Sequence, residues 1–214
     1  MALGKAPGTS STPSTSELVI LGAPAVLRDG SRVRIRQSRS SDRELLLRGF
    51  ERLSPESRYR RFLVATPELT GKALDYLVEI DHHDHEAILA LDENTGEGVG
   101  IARYVRDPEH PSVAEVAVTV IDDWQGRGLG TLLLEVISAR AREEGIRTFT
   151  ALILATNDEM LDLLRRLGRI RVVDREIGRV EIALRIPEVG IAPALKKLLR
   201  IAAESTGPIP LPGR

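Results

Sequence analysis

The stretch Val118-Thr119-Val120-Ile121-Asp122-Asp123-Trp124-Gln125-Gly126-Arg127-Gly128-Leu129-Gly130-Thr131 decides the fold. An apolar run of strand length passes into a glycine-rich turn. A helical pattern then continues to Glu144, and Gly145 stops it. Strand, glycine loop and helix in that order make a cradle for an anion. Glycines let the backbone come close to a ligand, and the N–H groups that open the helix face it, helped by the helix dipole. Arg127 adds a fixed positive charge. The spacing is Gly-x-Gly-x-Gly, with Leu133 where a dinucleotide fingerprint needs its third glycine, and no Gly-Lys-Ser/Thr follows. A phosphate or diphosphate cradle remains, against the plainer reading of a tight turn that uses glycine for shape alone.

Outward from the loop, the chain alternates strands and helices. Arg32 to Arg36 alternates with period two after the Asp29-Gly30 turn signal and reads as a strand. Ser41-x-x-Glu44 is a capping box for a helix, Ser54-Pro55-Glu56 opens a second, and residues 71–78 suit a third. Strands are expected over 86–91, 98–105 and 112–121. After the glycine loop and its helix come a strand over 147–155, a helix over 157–167, and strands over 170–173 and 179–186. The consecutive strands can pair as a meander, while the strand–helix–strand passage over 112–155 wants a parallel crossover. The result is an α/β chain with a mixed sheet and helices on its faces.

Composition closes several routes. Residues 1–16 are rich in Ser, Thr, Gly and Pro and read as a disordered lead-in. Residues 17–187 are the expected domain, and residues 188–214 an amphipathic segment with a Pro/Gly-rich tail. That tail could pack on the domain, make a homodimer or cover an acceptor cleft. The 214 residues carry 30 Lys+Arg against 31 Asp+Glu, which gives no general reason to expect nucleic acid or an anionic membrane as partner. No apolar run reaches the ~20 residues of a membrane span, and the first residues lack a signal pattern, so a soluble cytoplasmic protein is expected. With no cysteine, thiolate catalysis, disulfides and cysteine-held metals are excluded. Asp81-His82-His83-Asp84-His85 has the residue types of a metal site but reads as a solvated turn, so no metal is expected.

Gln125-x-x-Gly128-x-Gly130 resembles the acetyl-CoA loop of the GNAT acetyltransferases, at the right place in the element order. Residues 52–62 and Ala114-Glu115-Val116-Ala117-Val118 resemble the acetyltransferase domain of bacterial Pat-type protein lysine acetyltransferases. The resemblance implies a GNAT-like mixed, mostly antiparallel twisted sheet of about six to seven strands. It also implies transfer of acetyl from acetyl-CoA to a primary amine, with a protein lysine as first acceptor. A small-molecule or N-terminal amine, or a non-catalytic acyl-CoA-binding regulator, is the alternative.

By the same resemblance, Gln125, Gly126, Arg127, Gly128, Leu129, Gly130 and Thr131 hold the diphosphate. The backbone of Val118 and Val120 pairs with the pantetheine arm, and Asn157 contacts its end while also suiting an N-cap. Glu115 takes the role of general base. Its place in an apolar strand would bury it and raise its pKa, and the competing reading is a cross-strand pair with Arg103. Leu164 stands where many members have a tyrosine acid. Arg58, Arg60 and Arg61 read as a solvated helix face, with an acceptor groove as the lesser reading. Trp124 is expected to anchor the loop by packing.

Overall fold

The computed structural model describes residues 21–64 and 69–187, with the backbone alone for residues 21–23. Both terminal segments singled out from the sequence, 1–16 and 188–214, lie outside the described residues. Strand β1 (Leu21–Val26) forms a hairpin with β2 (Arg32–Gln37), where period-two alternation buries Val33 and Ile35 and leaves Arg32 and Arg34 outward. β3 (His85–Asp92), β4 (Gly98–Arg106) and β5 (Val113–Val120) continue the meander. Three helices precede them: α1 (Arg43–Glu51), α2 (Pro55–Phe62) and α3 (Gly71–Val78). After β5 come α4 (Leu129–Glu143), β6 (Thr148–Leu154), α5 (Asp158–Leu167), β7 (Ile170–Glu176) and β8 (Arg179–Arg185).

The sheet has eight strands in the order β1-β2-β3-β4-β5-β6-β8-β7, antiparallel everywhere but β5–β6. That is one strand more than the upper expectation. The addition is β1, whose Gly22 and Pro24 hide its pattern. Proline is tolerated there because β1 is an edge strand, with a register shift between Leu21 and Pro24. The last hairpin also turns back on itself, so β8 sits beside β6 and β7 forms the far edge.

Ser54 and Thr70 cap α2 and α3 through bonds from the N–H groups of Ser57 and Ala73. The expected Ser41–Glu44 capping box does not form. Asp42 holds the turn instead, accepting from the Arg39 N–H at 2.7 Å and from both Arg36 terminal nitrogens at 2.7 Å. A short, nearly buried carboxylate fixed by a guanidinium outcompetes an exposed serine.

The two faces of the sheet do different jobs. On one, α4 packs Leu129 and Leu133 so closely that a β carbon at Gly100 would lie 2.9 Å from Leu133 Cδ1. Full burial of a leucine such as Leu133 contributes roughly 1.5–3 kcal/mol. On the other, α1, α2 and α3 cover Ile101, Arg103, Ala117 and Thr119. No helix among the described residues is long and apolar enough to cross a membrane.

Candidate active site

β5 and β6 pair only at Val113↔Thr148, Ala114↔Phe149 and Glu115↔Thr150. Beyond Glu115 they part, since β5 runs on to Val120 and β6 to Leu154 without further pairing. The gap opens into a cleft of about 640 Å³. β5 supplies Glu115, Val118 and Val120 to it. The loop and α4 supply Gln125, Gly126, Gly128, Gly130 and Thr131, and Asn157 enters from the start of α5. Residues distant in sequence thus share one wall because two strands diverge.

Gly126 and Gly128 have φ of +72° and +89°, left-handed values that favour glycine. They turn the chain so that α4 starts at the cleft. Gln125 Nε2 donates to Val120 O at 3.1 Å and to Ser57 Oγ at 3.3 Å. Asn157 accepts from the Met160 N–H at 3.1 Å, so it is an N-cap that also lines the cleft.

Two of the loop residues lie differently. The Arg127 side chain does not line the cleft. It reaches Ser31 Oγ at 3.0 Å, Asp29 at 3.2 Å and Asp123 O at 2.5 Å, and lies 4.9 Å over the Trp124 ring. It fastens the loop to the β1–β2 turn, and Trp124 packs against the core beneath it. Leu129 is 1% exposed and sends its side chain into the core, leaving only its backbone at the helix start. On the β1–β2 side of the loop it is Arg28 whose side chain lines the cleft, and its N–H donates to Arg127 O at 3.4 Å. Nothing in the sequence links that turn to the loop, because β1 was illegible.

Glu115 is exposed to the cleft, so the burial invoked from the sequence is not there. Nor does it pair with Arg103. Across the strands Glu115 faces Val105, and Arg103 faces Ala117. Arg103 Nη2 goes instead to His85 Nε2 at 2.5 Å and Leu77 O at 3.3 Å. The guanidinium that acts on Glu115 is Arg61. Rather than joining a solvated helix face, Arg61 turns inward between the cleft and the apolar layer under α1. Glu115 and Arg61 lie on the face opposite α4, so the glycine cradle and the carboxylate approach the gap from two sides.

Residues 48–168 match the model of the Acetyltransferase (GNAT) family. The chain belongs to the GNAT acetyltransferases. It is similar to Acetyltransferase Pat of Mycolicibacterium smegmatis, 32% identical over 183 residues, covering 86% of this chain and 54% of that protein. The chain thus spans about half the length of that relative. It is 40% identical over 144 residues to Acetyltransferase PA5475 of Pseudomonas aeruginosa, covering 66% of this chain and 77% of that one. Among solved structures, the GNAT domain of S. lividans PAT superposes with a TM-score of 0.72 at 32% identity. That match covers 82% of this chain and all of the other.

In this GNAT enzyme Leu164 is fully buried in the core, and the α5 side chains that reach the cleft include Met160 and Leu163. Among the described residues no tyrosine or histidine lines the cleft. One positioning group was missed from the sequence. Burial pushes the Asp122 carboxyl up, but bonds from Ser54 N–H, Ser54 Oγ and Ser57 Oγ outweigh it and hold the group below its usual range. Asp122 so ties the start of α2 to the end of β5 and sets Ser57 beside Gln125. The first of two aspartates between an isoleucine and a tryptophan gives no sign of this until α2 is in place. The Asp81–His85 turn is also explained locally, since Asp81 Oδ1 accepts the N–H groups of His83, Asp84 and His85 at 2.9 Å.

Proposed function

We propose that this GNAT enzyme moves acetyl from acetyl-CoA to a primary amine, a protein lysine, by direct attack in a ternary complex. One observation carries the reading: the strands part beside a glycine loop on one face and a cleft carboxylate on the other. The relatives named Pat support a protein acceptor. We assign the activity to residues 17–187.

The open edge of β5 at Val118 and Val120 can hydrogen-bond an extended pantetheine arm as an added strand would. The amides of Gly126 to Thr131, including those of Arg127 and Leu129, face the diphosphate, while the Gln125 N–H bonds to Asp122 O and its side chain steadies the loop, and Asn157 meets the arm near its end. A lysine of pKa ~10.4 is about three units from neutral pH, so a neutral amine costs about 4 kcal/mol. Glu115 takes this proton, directly or through one water. The amine nitrogen then attacks the thioester carbonyl carbon while the Val118 amide polarises its oxygen. The C–S bond breaks, the bonded nitrogen gives its surplus proton to water, and the departing thiolate takes a proton from water. A thiol of pKa ~8.5 leaves without a dedicated acid, in keeping with a cleft that has no tyrosine among its described residues.

Bisubstrate kinetics test this. Free-thiol release that depends on a lysine peptide and gives intersecting initial-rate lines is expected. Acetyl-CoA binding without acceptor-dependent release would overturn it in favour of an acyl-CoA-binding regulator.

A further inference from the structure

The acceptor side of the cleft holds more positive than negative charge. Arg103 is 6% exposed, and its Nε is buried without a hydrogen-bond partner. Its Nη2 meets two uncharged acceptors, the Leu77 carbonyl and the His85 imidazole. That imidazole stays neutral, because burial and then Arg103 push its pKa down to about 4. The Arg61 guanidinium makes no hydrogen bond to any described residue, lies 5.2 Å over the Phe62 ring, and has Glu115 as the carboxylate that acts on it. Burial pushes Arg103 down to about 10, and Arg61 beside it adds to the effect. A buried and a half-buried cation therefore lie side by side, and the one carboxylate among the described residues that acts on either is the exposed Glu115, on Arg61. Such an arrangement is costly unless another anion completes it.

Position says where that anion comes from. Arg61, Phe62, Ala117 and Thr119 line both the cleft and an apolar slot of about 80 Å³ under α1, which Arg103 also lines. Arg103 lies diagonally across from Glu115 on the same face, roughly 7 Å away by sheet geometry. This is the face opposite the glycine cradle, the side from which an amine reaches Glu115.

Resting on the acetyltransferase reading, we infer that Arg61 and Arg103 form a carboxylate subsite and that the acceptor presents a carboxylate close in space to its reacting amine. Two acceptors supply that chemistry: a free amino acid, or a lysine beside an acidic residue in a peptide.

Two matched pairs test the inference and separate the sources. One is γ-aminobutyrate against its amide. The other is a capped Asp-Lys peptide against capped Asn-Lys. At least one pair favours its carboxylate member about tenfold in kcat/KM, and which pair does so names the source. In Arg61→Gln and in Arg103→Gln that ratio falls to about one, and Arg103→Lys restores part of it. Ratios near one in the wild type for both pairs, or a preference that survives both substitutions, would overturn the subsite. So would a preference for succinyl-CoA over acetyl-CoA that Arg61→Gln abolishes, because the carboxylate would then belong to the acyl group.

If no amine is acetylated, the transfer reading fails and calorimetry decides this inference alone. γ-Aminobutyrate or the capped Asp-Lys peptide, titrated into the CoA-loaded protein, gives a binding heat that Arg61→Gln removes. No heat from either in the wild type overturns the subsite.

Discussion

Replacing Gly128 by alanine separates the loop's shape from its role. Gly128 has φ of +89° and is the N-cap of α4. A side chain in this conformation costs roughly 1–2 kcal/mol. Its β carbon would also lie 3.4 Å from Arg28 Nε, a contact the exposed, flexible arginine can relax. Gly145 supplies the control. Its φ is +82°, nothing lies within 4 Å of its β carbon, and it is outside the cleft. Gly145→Ala therefore carries the same backbone strain and nothing else. Both variants should lose about 1–2 kcal/mol, which for a chain of this size lowers Tm by roughly 2–8 °C. Only Gly128→Ala should also weaken acetyl-CoA. Misaligning one loop N–H against an anion removes a bond of about 1.5–3 kcal/mol, at least about tenfold in Kd. Calorimetric titration with acetyl-CoA beside thermal unfolding reads both effects. Equal acetyl-CoA affinity in the two variants would refute the cradle.

Two further outcomes concern the framework. His85 is neutral in the fold, with its pKa pushed down from 6.5 to about 4 by burial and then by Arg103. Between those values the unfolded chain binds more protons, so stability falls as pH falls from 6.5 towards 4. His85→Gln keeps an acceptor for Arg103 and removes that titration. Its Tm should change less with pH than the wild type's between pH 6.5 and 4.5, above the range in which the carboxylates protonate. Identical slopes would contradict a buried neutral imidazole. Glu86 is fully buried and accepts from Gln37 at 2.8 Å, from the Ala87 N–H at 2.9 Å and from Arg140 at 3.3 Å, with His82 Nδ1 2.8 Å away. Glu86→Gln removes the charge and faces an NH₂ towards donors, and should cost about 3 kcal/mol in denaturant unfolding. A loss below about 0.5 kcal/mol would show that Arg140 is satisfied by Glu143 and Glu144 alone.

Where periodicity was clean, the sequence was enough. Val33 and Ile35 announce β2, and the glycine loop announces the crossover from β5 to α4 and on to β6. It failed where tertiary partners choose the outcome. β1 contains Gly22 and Pro24 and is a strand because it pairs with β2 at an edge. Asp42 took the turn from Ser41 because Arg36 lies beside it. Charge was the hardest to read. Glu115 in an apolar strand implied burial, but the strands part next to it and leave it in the cleft. Arg61 in an arginine-rich helix implied solvent, but α2 lies on the sheet and turns it inward. Arg127 was placed by motif, while the fold ties its side chain to Asp29 and leaves Arg28 at the cleft.

The central claim is that Glu115 serves the chemical step while the loop and the β5 edge serve binding. Glu115→Gln keeps size and hydrogen bonding and removes the base. With acetyl-CoA affinity measured by calorimetry and turnover by thiol release, the account predicts a Kd within about twofold of wild type. It also predicts a kcat lowered on the order of 10²- to 10⁴-fold. Near-normal turnover in Glu115→Gln, with acetyl-CoA bound as before, would contradict it.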